Sequence, residues 1–336
     1  MDNIIDSFDL ELQPFLQIIN YYSIGNQLFK IESYGKFDAK AYLNSLEHLK
    51  VVPSEYEDIV TIKIIESATT TSNLPKEWVN WEAVNQYNGE LTGFEEGYYA
   101  MINTHESLFI LIDYQKKTIF FWINDFDTLS LSERASPIRL PLSLWFRNTS
   151  LFMCHAAGIG FNGTGVLLTG KGGSGKSTST LSCLQTQLKY AGDDFVLVDS
   201  EKNIVYSLYN IAKFNTEQLE RFEHLKQYVS NVKHIPHEKG QIYINQDFSN
   251  EIINSFIVKS ILLPTITGKK DTHIGTCSKI DAVKALIPSS VWILRADNNS
   301  IEKMKKFINS IPTYRLYAGT ALEQIPVNII KHLNEN

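Results

Sequence analysis

Residues 58–66 (DIVTIKIIE) concentrate β-branched side chains, the composition of a strand. The runs SLFILIDY and TIFFWIN flank Gln115, Lys116 and Lys117, and predict a hairpin. The early part of the chain is therefore expected to be a smaller mixed α+β domain. Its aromatic residues Phe120, Phe121 and Trp122 fall on the second strand, where alternating aromatics usually belong to a core; recognition of a partner or self-association into a homo-oligomer is the other role open to them. Pro137 and Pro141 punctuate the next stretch, and PLSLWFRNTSLFMCHAAGIGF predicts a buried helix leading into a second domain. The boundary is placed near residue 145, dividing the chain into 1–145 and 146–336.

The pattern changes in the second part. Residues 163–169 (GTGVLLT) form a short apolar strand, a glycine-rich loop comes next, residues 176–188 suit a helix, and KYAGDDFVLVD reads as another strand. Strand, crossover helix and strand make a parallel βαβ unit, so the expected fold class is α/β with a layered sheet. Farther on, NTEQLERFEHLKQYV and SIEKMKKFINSI carry apolar residues, including Ile301, Met304 and Ile308, at helical spacing. No internal repeat or low-complexity tract is visible.

Composition narrows the function classes. The 336 residues are 43% apolar and 20% charged, with a net charge of −6, which gives no general attraction to nucleic acid or to an anionic membrane. Lys269 and Lys270 are a short pair, and Lys303, Lys305 and Lys306 have the spacing of a solvated helix face. Cys154, Cys183 and Cys277 lie far apart without metal-ligand spacing, which points to a reducing, cytoplasmic setting. The beginning, MDNIIDSFDLELQPFLQ, is acidic where a secretory signal is basic, and no apolar run reaches the roughly 18 residues that span a bilayer.

Gly170, Lys171, Gly172, Gly173, Ser174, Gly175, Lys176 and Ser177 fit GxxxxGK[ST] between an apolar strand and a predicted helix, where that motif must sit to cradle phosphates. Glycines let backbone N–H groups turn toward phosphate oxygens, and the helix N-terminus adds a positive field. Lys176 is placed to neutralise β and γ phosphates, Ser177 to ligate Mg²⁺, and Thr178 to continue the helix toward the α phosphate. ATP and magnesium are the expected ligands.

Asp193 and Asp194 follow Gly192 in the next predicted strand, where adjacent side chains face opposite ways unless the strand is ending, so one carboxylate is expected to face a nucleotide; a solvated turn or edge pair is the other reading. Asp199, after an apolar triplet, reads as a turn residue, and His155, in MCHAAGIG, as a core histidine on local pattern alone.

At these residues the chain resembles the HPr kinase/phosphorylase family, P-loop enzymes that phosphorylate a serine hydroxyl on a small protein. His155 precedes Lys176 by 21 positions (176 − 155), and Asp194 follows Ser177 by 17 (194 − 177), a spacing similar to the family's histidine, loop and aspartate pair. The segments YAGDDFVLV, VYSLYNIAKF, LLPTITGKKDT and IPTYRLYAGTALEQIP resemble more closely the HPr-kinase-like serine kinases of lasso-peptide biosynthesis, over residues 105–333. The resemblance implies that Asp194 is the base toward the acceptor hydroxyl, that Ser177 and Asp193 hold magnesium, and that His155 and Lys176 act at the phosphates. It also implies a peptide or small-protein acceptor.

Two features depart from the family. Thr178 stands where the HPr enzymes carry a glutamate, and their glycine-rich segment with a second metal-binding glutamate has no counterpart; Glu217 and Glu220 read first as residues of a solvated helix face and only secondarily as its replacement. The resemblance therefore does not extend to the reverse, phosphorylase reaction. Residues 266–270 (ITGKK) form a loop after a strand, read as a surface turn or as a segment approaching the phosphates. A nucleotide-dependent switch, an ATPase without an acceptor, and an inactive nucleotide-binding scaffold are the other classes the motif allows.

Overall fold

β-Branched and aromatic residues build the strands of the first compact unit, which comprises Met1–Asn44 and Leu49–Pro141. The computed structural model describes residues 10–53, 58–70, 85–87, 90–95, 97–103, 108–235 and 238–335. The acidic start of the chain, up to residue 9, lies outside them. Eight strands are described here: Leu16–Ile24 (β1), Gln27–Tyr34 (β2), Ile59–Glu66 (β3), Asn85–Tyr87 (β4), Glu90–Glu95 (β5), Tyr98–Asn103 (β6), Leu108–Asp113 (β7) and Thr118–Ile123 (β8). They form one sheet in the order β1-β2-β3-β8-β7-β6-β5-β4. Gly25 and Asn26 join β1 to β2 with φ of 60° and 63°, a pair of left-handed residues whose twist suits a two-residue hairpin.

The expected β7–β8 hairpin is present, pairing Asp113 with Thr118, and Asp113 accepts hydrogen bonds from the N–H groups of Gln115 and Lys116 in its turn. Phe120 and Trp122 are fully buried, with ring centroids 5.5 Å apart, and pack with Phe109 and Tyr34. The aromatic strand is core.

The second unit comprises Ser45–His48 and Leu142–Asn336, and the break falls inside the short helix Arg139–Trp145. The long buried helix expected from Pro141 onward stops there. Residues beyond it form strands Leu151–Cys154 (β9) and Ala157–Phe161 (β10), because apolar runs this short carry no period of their own and the pairing of their neighbours decides. The remaining strands are Thr164–Leu168 (β11), Lys189–Gly192 (β12), Val196–Asp199 (β13), Ile204–Tyr206 (β14), Ile211–Phe214 (β15), Gly240–Tyr243 (β16), Ser255–Ile266 (β17), His273–Thr276 (β18) and Thr313–Ala318 (β19).

The main sheet runs β12-β10-β11-β17-β14-β13-β9, with β19 beside β17 and β18 beside β19; β15 and β16 pair separately. It is mixed: β11, β17 and β19 are mutually parallel, whereas β10 is antiparallel to both β11 and β12. The predicted crossover thus joins two parallel strands that are separated by β10 instead of lying side by side.

Helices cover both faces, so the unit is α/β. Leu286, Met304, Phe307 and Ile308, from helices Lys279–Leu294 and Asn298–Ser310, pack on Phe152, Val198 and Ile261. Ile325, Ile329 and Leu333, from helix Gln324–Glu335, pack with Ile159, Leu168 and Leu262. Lys303 departs from the solvated face its spacing suggested. It is 9% exposed, and its ammonium donates to the carbonyl oxygens of Phe146, Arg147, Thr149 and Leu151 at 2.9–3.0 Å. Among the described residues no helix is long and apolar enough to cross a membrane.

Candidate active site

Three chain segments leave the main sheet at one edge. Ala157 at the start of β10 pairs with Leu168 at the end of β11, and Gly158 pairs with Gly192 at the end of β12. His155, the glycine loop and the aspartate pair, which adjoin these three strand ends, therefore emerge together. This is the carboxyl edge of β11 and β12, where α/β sheets commonly hold ligands.

The loop of residues 170–175 connects β11 to the helix Lys176–Leu181. Gly173 and Gly175 have φ of 77° and 104°, conformations closed to most side chains. A Cβ added at Gly172 would meet no atom of the described residues within 4 Å, so the loop leaves open space where a cradle for phosphate needs it. The helix is shorter than the expected 176–188. Thr180, Ser182 and Cys183 turn their side chains back onto the carbonyls of Lys176, Thr178 and Ser179, and Gln185 is left-handed, φ 60°. The buried Lys176 ammonium donates to Gly170 O at 2.6 Å. Burial lowers its pKa, against the opposing pull of Asp193 and Asp194.

KYAGDDFVLVD is two strands, not one. The run breaks after Gly192 in a bend holding Asp193 and Asp194, which frees both carboxylates from the alternation of a strand. Each finds its own surroundings. Asp193 is 1% exposed and accepts from Lys213 N–H at 3.2 Å through Oδ2, whereas its buried Oδ1 lacks a partner of ordinary hydrogen-bond geometry. Burial and the neighbouring Asp194 push its pKa up to about 7, while Lys213 N–H and the nearby Ser177 hydroxyl ease it down. Asp194 faces the cavity, with Oδ2 2.9 Å from Lys213 Nζ and Oδ1 3.8 Å from His155 Nε2. Burial works against its charge, but His155 and the Lys213 ammonium outweigh it and hold the carboxyl well below the usual range.

The cavity measures about 320 Å³ and is lined by residues 171–178, His155, Asp194, Gln218, Arg221, Lys239 and Ile266, among others. Every candidate residue of the loop except Gly170 is on this wall; Gly170 and Asp193 stand behind it, the first bonded to Lys176 and the second beside Ser177. Of the ITGKK loop, Ile266 lines the cavity, and its Cγ1 lies 3.3 Å from where a Gly175 Cβ would project. Glu217 lines the rim and is held by Arg221 at 2.7 Å; Glu220 does not line the cavity. Asp199 caps a turn by accepting from the N–H groups of Glu201 and Lys202.

Three further residues came to light only in the structure. Lys213, buried on β15, holds Asp194; Gln218 donates to Thr178 Oγ1 at 2.8 Å; Lys239 adds a cation to the rim. A lysine inside the apolar run IAKF was the signal available for the first.

An orphaned, buried Asp193 oxygen next to a loop serine fits a divalent cation. Among the described residues no three His, Cys, Asp or Glu side chains converge, so such an ion would rest on one or two protein oxygens plus phosphate and water, a set that suits magnesium.

No family model matches the chain, and no curated protein matches it. Among solved structures it is similar to the Hpr(Ser) kinase/phosphatase from Coxiella burnetii at 12% identity and a TM-score of 0.29, over 55% of this chain and 97% of that one. At that score the likeness carries no weight for function, which rests on the geometry of the site.

Proposed function

We propose that this chain is an ATP-dependent kinase that transfers the γ-phosphoryl group to a serine hydroxyl of a peptide or small protein, the acceptor class implied by the resemblance to the serine kinases of lasso-peptide biosynthesis. The supporting observation is the divided aspartate pair: one carboxylate turns to Ser177 at the foot of the loop, and the other faces the cavity. A carboxylate aimed into the cavity suits the hydroxyl of a nucleophile, an acceptor serine in a kinase or water in an ATPase, and the resemblance of the sequence favours the first.

In this reading the glycine loop and helix N-terminus bind the phosphates, and Lys176 leaves Gly170 O for a phosphate oxygen. Ser177 and Asp193 would hold magnesium, which would supply positive charge against the phosphate oxygens. Asp194 accepts the hydrogen bond of the serine hydroxyl and aims its oxygen at the γ phosphorus. The new O–P bond forms in line as the bond to the ADP oxygen breaks. Because Lys213 and His155 keep Asp194 a weak base, it orients the hydroxyl first and takes the proton late.

Incubation with γ-labelled ATP, magnesium and candidate peptides, with the label located by mass, tests the proposal. Phosphoserine on the peptide is the expected product; inorganic phosphate released at a rate indifferent to peptide indicates an ATPase instead.

A further inference from the structure

Lys213 sits on β15 between Ala212 and Phe214, and its side chain is 3% exposed. Its two polar ends go to the two members of the aspartate pair, backbone N–H to Asp193 Oδ2 and ammonium to Asp194 Oδ2. The strand is fixed by pairing with β16, and the chain then enters the helix Thr216–Arg221, whose Gln218 holds Thr178. One short segment thus ties the aspartate bend and the loop helix together. A buried ion pair adds little net stability compared with apolar residues of the same volume, so its consequence lies in geometry.

We infer, on the basis of the function proposed above, that Lys213 is a positioning residue: its side chain aims the Asp194 carboxylate into the cavity, while its backbone separately holds Asp193 beside Ser177. The division predicts a split. Removing the ammonium releases Asp194 and leaves the nucleotide-binding half intact, because the Lys213 N–H remains.

The test compares Lys213→Met and Lys213→Arg with the wild-type chain, each checked for folding by circular dichroism. Lys213→Met is expected to lower kcat for peptide phosphorylation by about 100-fold, within the range of one oriented acid–base group. KM for ATP and the Kd of MgADP should change by less than about threefold, and Lys213→Arg should recover most of kcat. In an Asp194→Asn background, Lys213→Met should add nothing, since the lysine acts through that carboxylate. A crystal structure of Lys213→Met should show Asp194 displaced and Asp193 in place.

A Lys213→Met enzyme with near-wild-type kcat, or a variant structure with Asp194 unmoved, overturns the inference. If Lys213→Met does not fold, Lys213→Gln carries the same comparison. A wild-type chain that phosphorylates no serine removes the proposed function instead, and the variant structure then decides the role of Lys213 by itself.

Discussion

Gly172 shows how much a single residue can report. Among the described residues nothing stands within 4 Å of the Cβ it lacks, and its φ is outside the left-handed region. Gly172→Ala should therefore leave unfolding stability within about 0.5 kcal/mol of wild type. If phosphate occupies the open space, the same methyl blocks its approach, and the Kd of MgADP should rise at least about tenfold, or about 1.4 kcal/mol. Calorimetric titration and denaturant unfolding on one pair of proteins check both halves. A plain surface turn would change neither.

Residues also mark where the sequence was readable. The loop from Gly170 to Ser177 is a local pattern, and each of its requirements, positive φ at Gly173 and Gly175 and a helix beginning at Lys176, is met within a few positions. The partners of Lys213, Gln218 and Lys303 lie 20, 40 and more than 150 residues away, and no periodicity records such pairings.

At the scale of elements, the misread strands have one cause. β9, β10, β12 and β13 are four or five residues each, too short to show a period, and their type is set by the strands they pair with. The break between β12 and β13 matters most, since an uninterrupted strand would send Asp193 and Asp194 to opposite faces. The longer helices Asn298–Ser310 and Gln324–Glu335 each bury one side, and the first lies where its apolar spacing predicted.

Lys303 fastens the first of these helices to the segment leading into β9. Replacing it by methionine leaves four carbonyl oxygens without their shared donor and should cost about 2–4 kcal/mol of stability, read as a lowered Tm. A Tm equal to wild type would mean that water or a neighbour takes over these carbonyls.

For the molecule as a whole, pH gives a view that does not involve the site. His48 is half-buried in the second unit, with Nε2 2.7 Å from Ser207 Oγ and Nδ1 3.2 Å from Asn210 Nδ2. Burial lowers its pKa to about 4, against the ordinary 6.5 it regains on unfolding. Its contribution is complete above pH 6.5. As pH falls from there toward 4 the unfolded chain takes up the proton first, and stability drops, by roughly 2.5 kcal/mol between pH 7 and 4.5. His48→Gln should lack that part of the slope in denaturant titrations at the two pH values; identical slopes would place the histidine in water.

The activity of the whole molecule turns on whether the carboxylate facing the cavity serves an acceptor. The most direct measurement is the rate of phosphoserine formation from ATP and magnesium by the wild-type chain and by Asp194→Asn, with MgADP affinity determined on both. The prediction is a loss of about 100-fold or more in rate with affinity changed less than about threefold. Equal rates in the two proteins, or label that appears only as free phosphate, would contradict it.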